Sequence, residues 1–230
     1  MKRILGITIV ALCLWCLLFV GVTPRDSRAA SPTMAYSQTD EWAEVSQNAV
    51  REGATTTISD CYTTKVFIDY ALTSATAHTG TKIEVQVSSN TSGDEDWTTY
   101  TSFITLTGTP NTEALSGSEA AAQTVLEVAS TTGLYDDDET RWIFIEDNTV
   151  ADSEMCYLVS HVAATSVTVL DGITNAHTSA DILNDIADRV PITLPTGYNR
   201  MRVIYDNTYD SDGATIHTHC AIVETTALPG

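Results

Sequence analysis

Basic side chains are scarce in this chain. Eleven lysines and arginines stand against thirty aspartates and glutamates, for a formal charge of −19 at pH 7. So acidic a surface repels phosphate backbones and anionic headgroups, which excludes nucleic acid as a partner and, once any leader is removed, membrane as well. Cysteine is nearly as sparse, at 13, 16, 61, 156 and 220. The first two fall in an apolar leader, and the remaining three are an odd set that permits at most one internal disulfide. Amphipathic helical periodicity is almost absent. Also missing are a nucleophile elbow, a zinc-protease helix, a phosphate loop and a dinucleotide fingerprint, so the chain is not expected to be an enzyme.

What is present begins with Met1-Lys2-Arg3, an apolar run from Ile4 to Val22 and the small-residue stretch Ser27-Arg28-Ala29-Ala30. That is the layout of a secretory signal peptide, expected to span residues 1–29, with an uncleaved anchor as the competing reading. Cleavage after Ala29 removes Lys2, Arg3, Arg25, Arg28 and Asp26, leaving seven basic and 29 acidic side chains and a formal charge of −22. The mature chain is expected to be extracellular or on a cell surface. It holds 35 threonines and two lysines, a composition suited to pleated, half-buried strands.

The strongest pattern is a strict alternation. Val66, Ile68, Tyr70 and Leu72 alternate with polar or small neighbours, and so do Ile83, Val85 and Val87. Both runs read as strands with one face in a core, joined through a hairpin of moderate length. Met201 to Tyr205 and Thr215 to Val223 alternate in the same way across the polar, Gly-ended loop Asn207 to Gly213, which reads as a second hairpin. Its natural partners are the two opening strands. Between them, Val125 to Val128, Arg141 to Glu146, Met155 to Val162 and Val167 to Leu170 form a self-contained set of short strands, and residues 181–188 suggest one helical turn.

The expected fold is all-β: a jelly-roll or Ig-like β-sandwich from residues 40–115 plus 190–226, interrupted by a small inserted β-barrel or meander at 116–189 and preceded by a flexible segment at 30–39. Within the insert, Val128-Ala129-Ser130-Thr131-Thr132-Gly133-Leu134, Trp142 to Asp147, Ser153-Glu154, Val159 to Val162, Ser166 to Leu170 and Ala176-His177-Thr178 resemble β-modules of bacteriophage virion structural proteins and large bacterial surface proteins. The resemblance spans residues 124–178 and implies a structural, particle-building role. It departs at Asp136-Asp137-Asp138-Glu139, where such modules place a Gly-Asp step, and virion subunits carry no signal peptide.

Candidate chemistry rests on acidic loops. Asp136, Asp137 and Asp138 could supply carboxylate oxygens to calcium, beside Asp147 and Asp152 of the next turn. Asp210 and Asp212, ahead of Gly213, resemble the middle of a calcium loop, although Thr208 and His219 stand where acidic ligands belong. Solvated turns are the plainer reading of both. His217 and His219 share a face opposite Ile216, Cys220 and Ile222, as an exposed polar strand face or a pair able to bind zinc or copper with a carboxylate. Cys220, pointing inward, is paired with Cys61 as the expected disulfide.

Two functions are consistent with these features. One is a secreted structural protein that assembles with itself into a filament, surface layer or matrix. The alternative is a calcium-dependent adhesin or carbohydrate-binding module, with Trp42, Trp97, Trp142 and Tyr198 available to stack on glycans. Partners are thus further copies of the chain, other surface components or glycans.

Overall fold

The computed structural model describes residues 34–58, 61–73, 76–93, 96–131, 134, 141–210 and 214–226. The signal peptide, Asp136, Asp137, Asp138, Asp212 and the side chain of Cys61 lie outside the described residues. In chain order the strands are β1 (Met34–Val45), β2 (Val50–Glu52), β3 (Thr56–Thr57), β4 (Cys61–Leu72), β5 (Lys82–Ser88), β6 (Thr98–Ile104), β7 (Thr112–Ala114) and β8 (Val125–Glu127). They continue with β9 (Arg141–Glu146), β10 (Glu154–Val162), β11 (Ser166–Val169), β12 (Ile182–Asn184), β13 (Ala187–Leu194), β14 (Arg200–Asp206) and β15 (Ile216–Thr226).

Two antiparallel sheets form the sandwich. One has the order β1-β15-β4-β13, the other β2-β14-β5-β6 with β3 also on β14. Alternation fixes which side chains meet between them. Val66, Ile68, Tyr70 and Leu72 of β4 and Ile216, Cys220 and Ile222 of β15 face Ile83, Val85 and Val87 of β5 and Met201, Val203 and Tyr205 of β14 in a single buried cluster.

Both expected hairpins are corrected here. β4 and β5 lie in opposite sheets, as do β14 and β15, so each loop arches across the core instead of turning within a sheet. The physical reason is visible at Asn207, which is wholly buried in the second arch. Its amide donates to Val45 O at 3.0 Å and Ala214 O at 2.9 Å, and its carbonyl accepts from Thr81 Oγ1 at 2.6 Å. A satisfied buried amide holds the chain in the crossing, and each alternating run then presents its apolar face to the other across the core. The opening strands do pair with the closing ones, β4 with β15 over eleven positions and β5 with β14 over seven.

Further differences concern the edges of the pattern. Residues 34–39 are no free segment: Met34 to Gln38 pair with Thr225 to Ala221 as the start of β1. The stretch read as a helical turn at 181–188 is β12 and the start of β13, with Asp185 and Ile186 between them. β7, grouped with the sandwich by sequence, hydrogen-bonds to β12.

The third sheet has the order β7-β12-β9-β10-β11-β8. Its two ends meet, because Leu115 bridges Val128 and Ser116 N donates to Glu127 O at 2.8 Å. The sheet is therefore closed into a small barrel around Leu115, Leu126, Val128, Ile143, Ile145, Leu158, Val167, Val169 and Leu183. Phe144, Trp142 and Met155 point outward from it and pack against the outer face of β4 and β13, at Ala71 and Ala187.

Candidate functional site

Because the barrel covers the outer face of the four-stranded sheet, the face expected to be an exposed polar one is buried. His217 and His219 do point away from the sandwich core, as parity requires, yet they are 1% and 8% exposed. Phe144 lies 5.2 Å from the His217 ring, and Trp42 sits between Phe144 at 4.6 Å and His219 at 5.2 Å. His219 Nδ1 is 3.0 Å from Asp69 Oδ2, and Arg189 grips the same carboxylate with Nε at 2.7 Å and Nη2 at 3.0 Å. Burial alone would raise the Asp69 pKa. The hydrogen bonds from His219 and Arg189 and their charges outweigh it, so the carboxyl sits below its ordinary range. The two histidines are thus tied into a layer contact, and among the described residues neither belongs to a group of three converging ligand atoms.

The proposed disulfide does not form. Cys220 is a free, buried thiol standing opposite Ile68, whereas Cys61 stands opposite Thr226 at the far end of the same ladder. Six residues of extended strand, about 20 Å, separate those positions, far beyond the reach of a disulfide. Burial pushes the Cys220 thiol up to about 12. Cys156, also free, lies within the barrel core.

Asp210 turns inward. Its Oδ2 is 2.9 Å from His78 Nδ1 with both side chains fully buried, and its Oδ1 accepts from Thr79 N at 3.3 Å and Thr79 Oγ1 at 3.1 Å. Burial lowers the His78 pKa more than Asp210 raises it. The carboxylate fastens the arch through His78 and Thr79.

The tryptophan rings proposed for glycan stacking are engaged within the chain. Arg189 lies 4.5 Å over Trp142, and Arg200 and Arg202 lie 4.9 and 4.4 Å from Trp97. Trp42 is held as described above.

A cluster that sequence reasoning did not assemble lies at one end of the barrel. Asp147 follows β9, Glu154 opens β10, His177 sits in the loop before β12 and Asp181 immediately precedes that strand. His177 is 1% exposed, and its backbone is fixed by reciprocal hydrogen bonds with Glu119 at 2.9 Å. Its Nε2 lies 2.9 Å from Glu154 Oε1, while Nδ1 faces Asp147 Oδ2 at 3.3 Å and Asp181 Oδ2 at 3.4 Å. Burial works against the imidazolium, but the hydrogen bond to Glu154 and the charges of Glu154, Asp181 and Asp147 outweigh it and raise the His177 pKa. Thirty residues separate Asp147 from His177, and the four-residue step to Asp181 is not in a helix. Only the closure of the barrel brings them together.

The sandwich edges differ in character. β1 carries Asp40, Glu41 and Glu44 and two register shifts. β13 carries Asp188, Arg189 and Pro191, and β2 is three residues long with Arg51 and Glu52. β6 reads Thr-Thr-Tyr-Thr-Ser-Phe-Ile, with neither charge nor proline and one register shift beside Tyr100. Tyr100 and Ile104 along it, and Leu106 just beyond its end, are 39, 50 and 48% exposed.

No known protein family matches this chain, and no curated protein does. Among solved structures, it is similar at a TM-score of 0.24 and 11% identity to a chain in the structure of infectious bursal disease virus Gt strain, over 91% of this chain and 46% of that one. A chain of the Gx strain gives 0.21 and 8%, over 90% and 46%. The chain thus spans about half the length of these neighbours. Neither overlay is close enough to carry an argument about fold or role.

Proposed function

We propose that this is a secreted structural protein that assembles with copies of itself into an extracellular filament, surface layer or matrix, and that β6 is a contact between copies. The observation that carries this reading is the character of that edge. Exposed strand edges pair with other chains unless charge, proline, brevity or distortion prevents it. The other described sandwich edges carry charge or proline, whereas β6 has only its one register shift, and the barrel closes its own. β6 offers seven uncharged residues with exposed Tyr100 and Ile104.

A formal charge of −22 on the mature chain makes copies repel one another, so contact is favoured at an uncharged edge and when cations screen the rest. Two β6 strands meeting antiparallel give a closed two-fold dimer, and a filament or layer adds a second, different contact. Beyond β6, support comes from the leader-like amino terminus and the threonine-rich, all-β construction. Residues Met34 to Val45 are not free for donation to a neighbour's sheet, because β1 is already paired with β15.

Electron microscopy and sedimentation of the mature protein, with and without calcium, test the reading. Ser102→Lys with Ile104→Lys places charge on exposed positions of the edge without touching the core. Assemblies in the native chain that the double variant loses support the proposal. Strict monomers at high concentration in both conditions, or unaltered assembly by the variant, overturn it.

A further inference from the structure

We propose that Asp147, His177 and Asp181 form a divalent transition-metal site of the zinc class, with Glu154 positioning the histidine. The acidic cluster does not carry this alone. His177 Nδ1 is buried and makes no well-aligned hydrogen bond, although two carboxylate oxygens lie 3.3 and 3.4 Å from it. A nitrogen aimed between two carboxylates at that spacing is the arrangement a cation completes.

The two nitrogen-to-oxygen distances suit such an ion. Zinc–nitrogen and zinc–carboxylate bonds of about 2.0–2.2 Å give a tetrahedral ligand set edges of about 3.3–3.5 Å. Both nitrogen-to-oxygen separations agree with that figure. Calcium prefers six to eight oxygens at longer range, and an imidazole nitrogen is foreign to such a shell.

The surroundings also match. A histidine that binds metal through one nitrogen generally gives its other N–H to a carboxylate, which fixes the tautomer and the ring. Glu154 takes that part, and is itself held by Thr174 N at 2.7 Å and Asn175 N at 3.0 Å. Asp181 Oδ2 is oriented by Thr178 N at 2.7 Å and Asp147 Oδ1 by Thr149 N at 2.7 Å, which leaves Asp147 Oδ2 directed at the histidine. Asp147 also lines a cavity of about 220 Å³ with Glu44, Glu146 and Asn148, through which an ion and water can reach it. Three protein ligands leave a fourth position for water.

The test uses the full mature chain stripped with chelator. Titration calorimetry with zinc is expected to show one ion per chain and a raised unfolding temperature, with calcium and magnesium failing to compete. X-ray absorption should report a nitrogen and oxygen shell with imidazole and no sulfur. Asp147→Asn, at a position partly open to solvent, should keep the fold and weaken zinc at least about tenfold. The inference is overturned if the folded native chain takes up no zinc at micromolar concentration. A shell containing sulfur, or Asp147→Asn and Asp181→Asn binding as tightly as the native chain, overturns it as well.

Discussion

Asp69 and His219 stand opposite each other on β4 and β15, with His219 Nδ1 3.0 Å from Asp69 Oδ2, on the sheet face that the barrel covers. Arg189 completes the contact from β13. A buried imidazole and a half-buried guanidinium thus converge on one carboxylate at the boundary between two layers. Asp69→Ala leaves both without their shared acceptor, and is expected to cost about 3–4 kcal/mol in denaturant unfolding. Arg189→Ala should cost less, because that side chain is 36% exposed and solvent replaces part of the interaction. Equal losses for the two would show that the carboxylate is not the centre of the contact.

Two positions along β15, His217 makes stability depend on pH. Its ring lies against Phe144, and Nδ1 is 3.0 Å from Thr73 Oγ1. Glu44 is 3.6 Å away, but its half-exposed carboxylate is too well solvated to offset burial. Burial lowers the His217 pKa to about 4 from an ordinary 6.5. A depressed pKa contributes stability that is whole above 6.5 and is lost as pH falls toward 4, in total about 3 kcal/mol. Chemical unfolding at pH 7 and pH 4.5 should show a larger loss for the native chain than for His217→Gln. The falling negative charge acts on both alike, so parallel profiles would refute the assignment.

Tyr205 is wholly buried in the sandwich core, and its hydroxyl has no hydrogen-bond partner among the described residues. A buried polar group left unsatisfied carries a desolvation cost that its removal recovers. Tyr205→Phe is therefore expected to stabilise the protein by about 1 kcal/mol, read as a higher denaturant midpoint with an unchanged slope. A destabilised variant would mean that the hydroxyl has a partner in solution.

β15 lies between β1 and β4, so deleting residues 201–230 removes the ladder partners of β1, β4, β2 and β5 together. The truncated chain is expected to lose cooperative unfolding of the sandwich. The barrel has its own closed ladder and core, and residues 110–186 expressed alone should fold, with Phe144 and Trp142 newly exposed and binding hydrophobic dye. Near-ultraviolet circular dichroism and a sharp melt check both statements. An unfolded 110–186 fragment would make the barrel dependent on the sandwich.

The sequence by itself determined the class of fold and the inward faces. The alternation of Val66, Ile68, Tyr70 and Leu72 with polar neighbours leaves only a half-buried strand, and the same period places His217 and His219 opposite Ile216 and Cys220. Strand period is local, so it survives being read one residue at a time. What lies across from a strand is not local. Whether β14 and β15 share a sheet was decided by Asn207, whose amide finds three partners only when the loop arches across the core. Cys61 and Cys220 were separated by ladder register, which no spacing along the chain reveals. The polar histidine face became an interior because the barrel packs on it. Asp147, Glu154, His177 and Asp181 came together only when the barrel closed, since metal geometry depends on distances through space and the chain between them carries no trace of it.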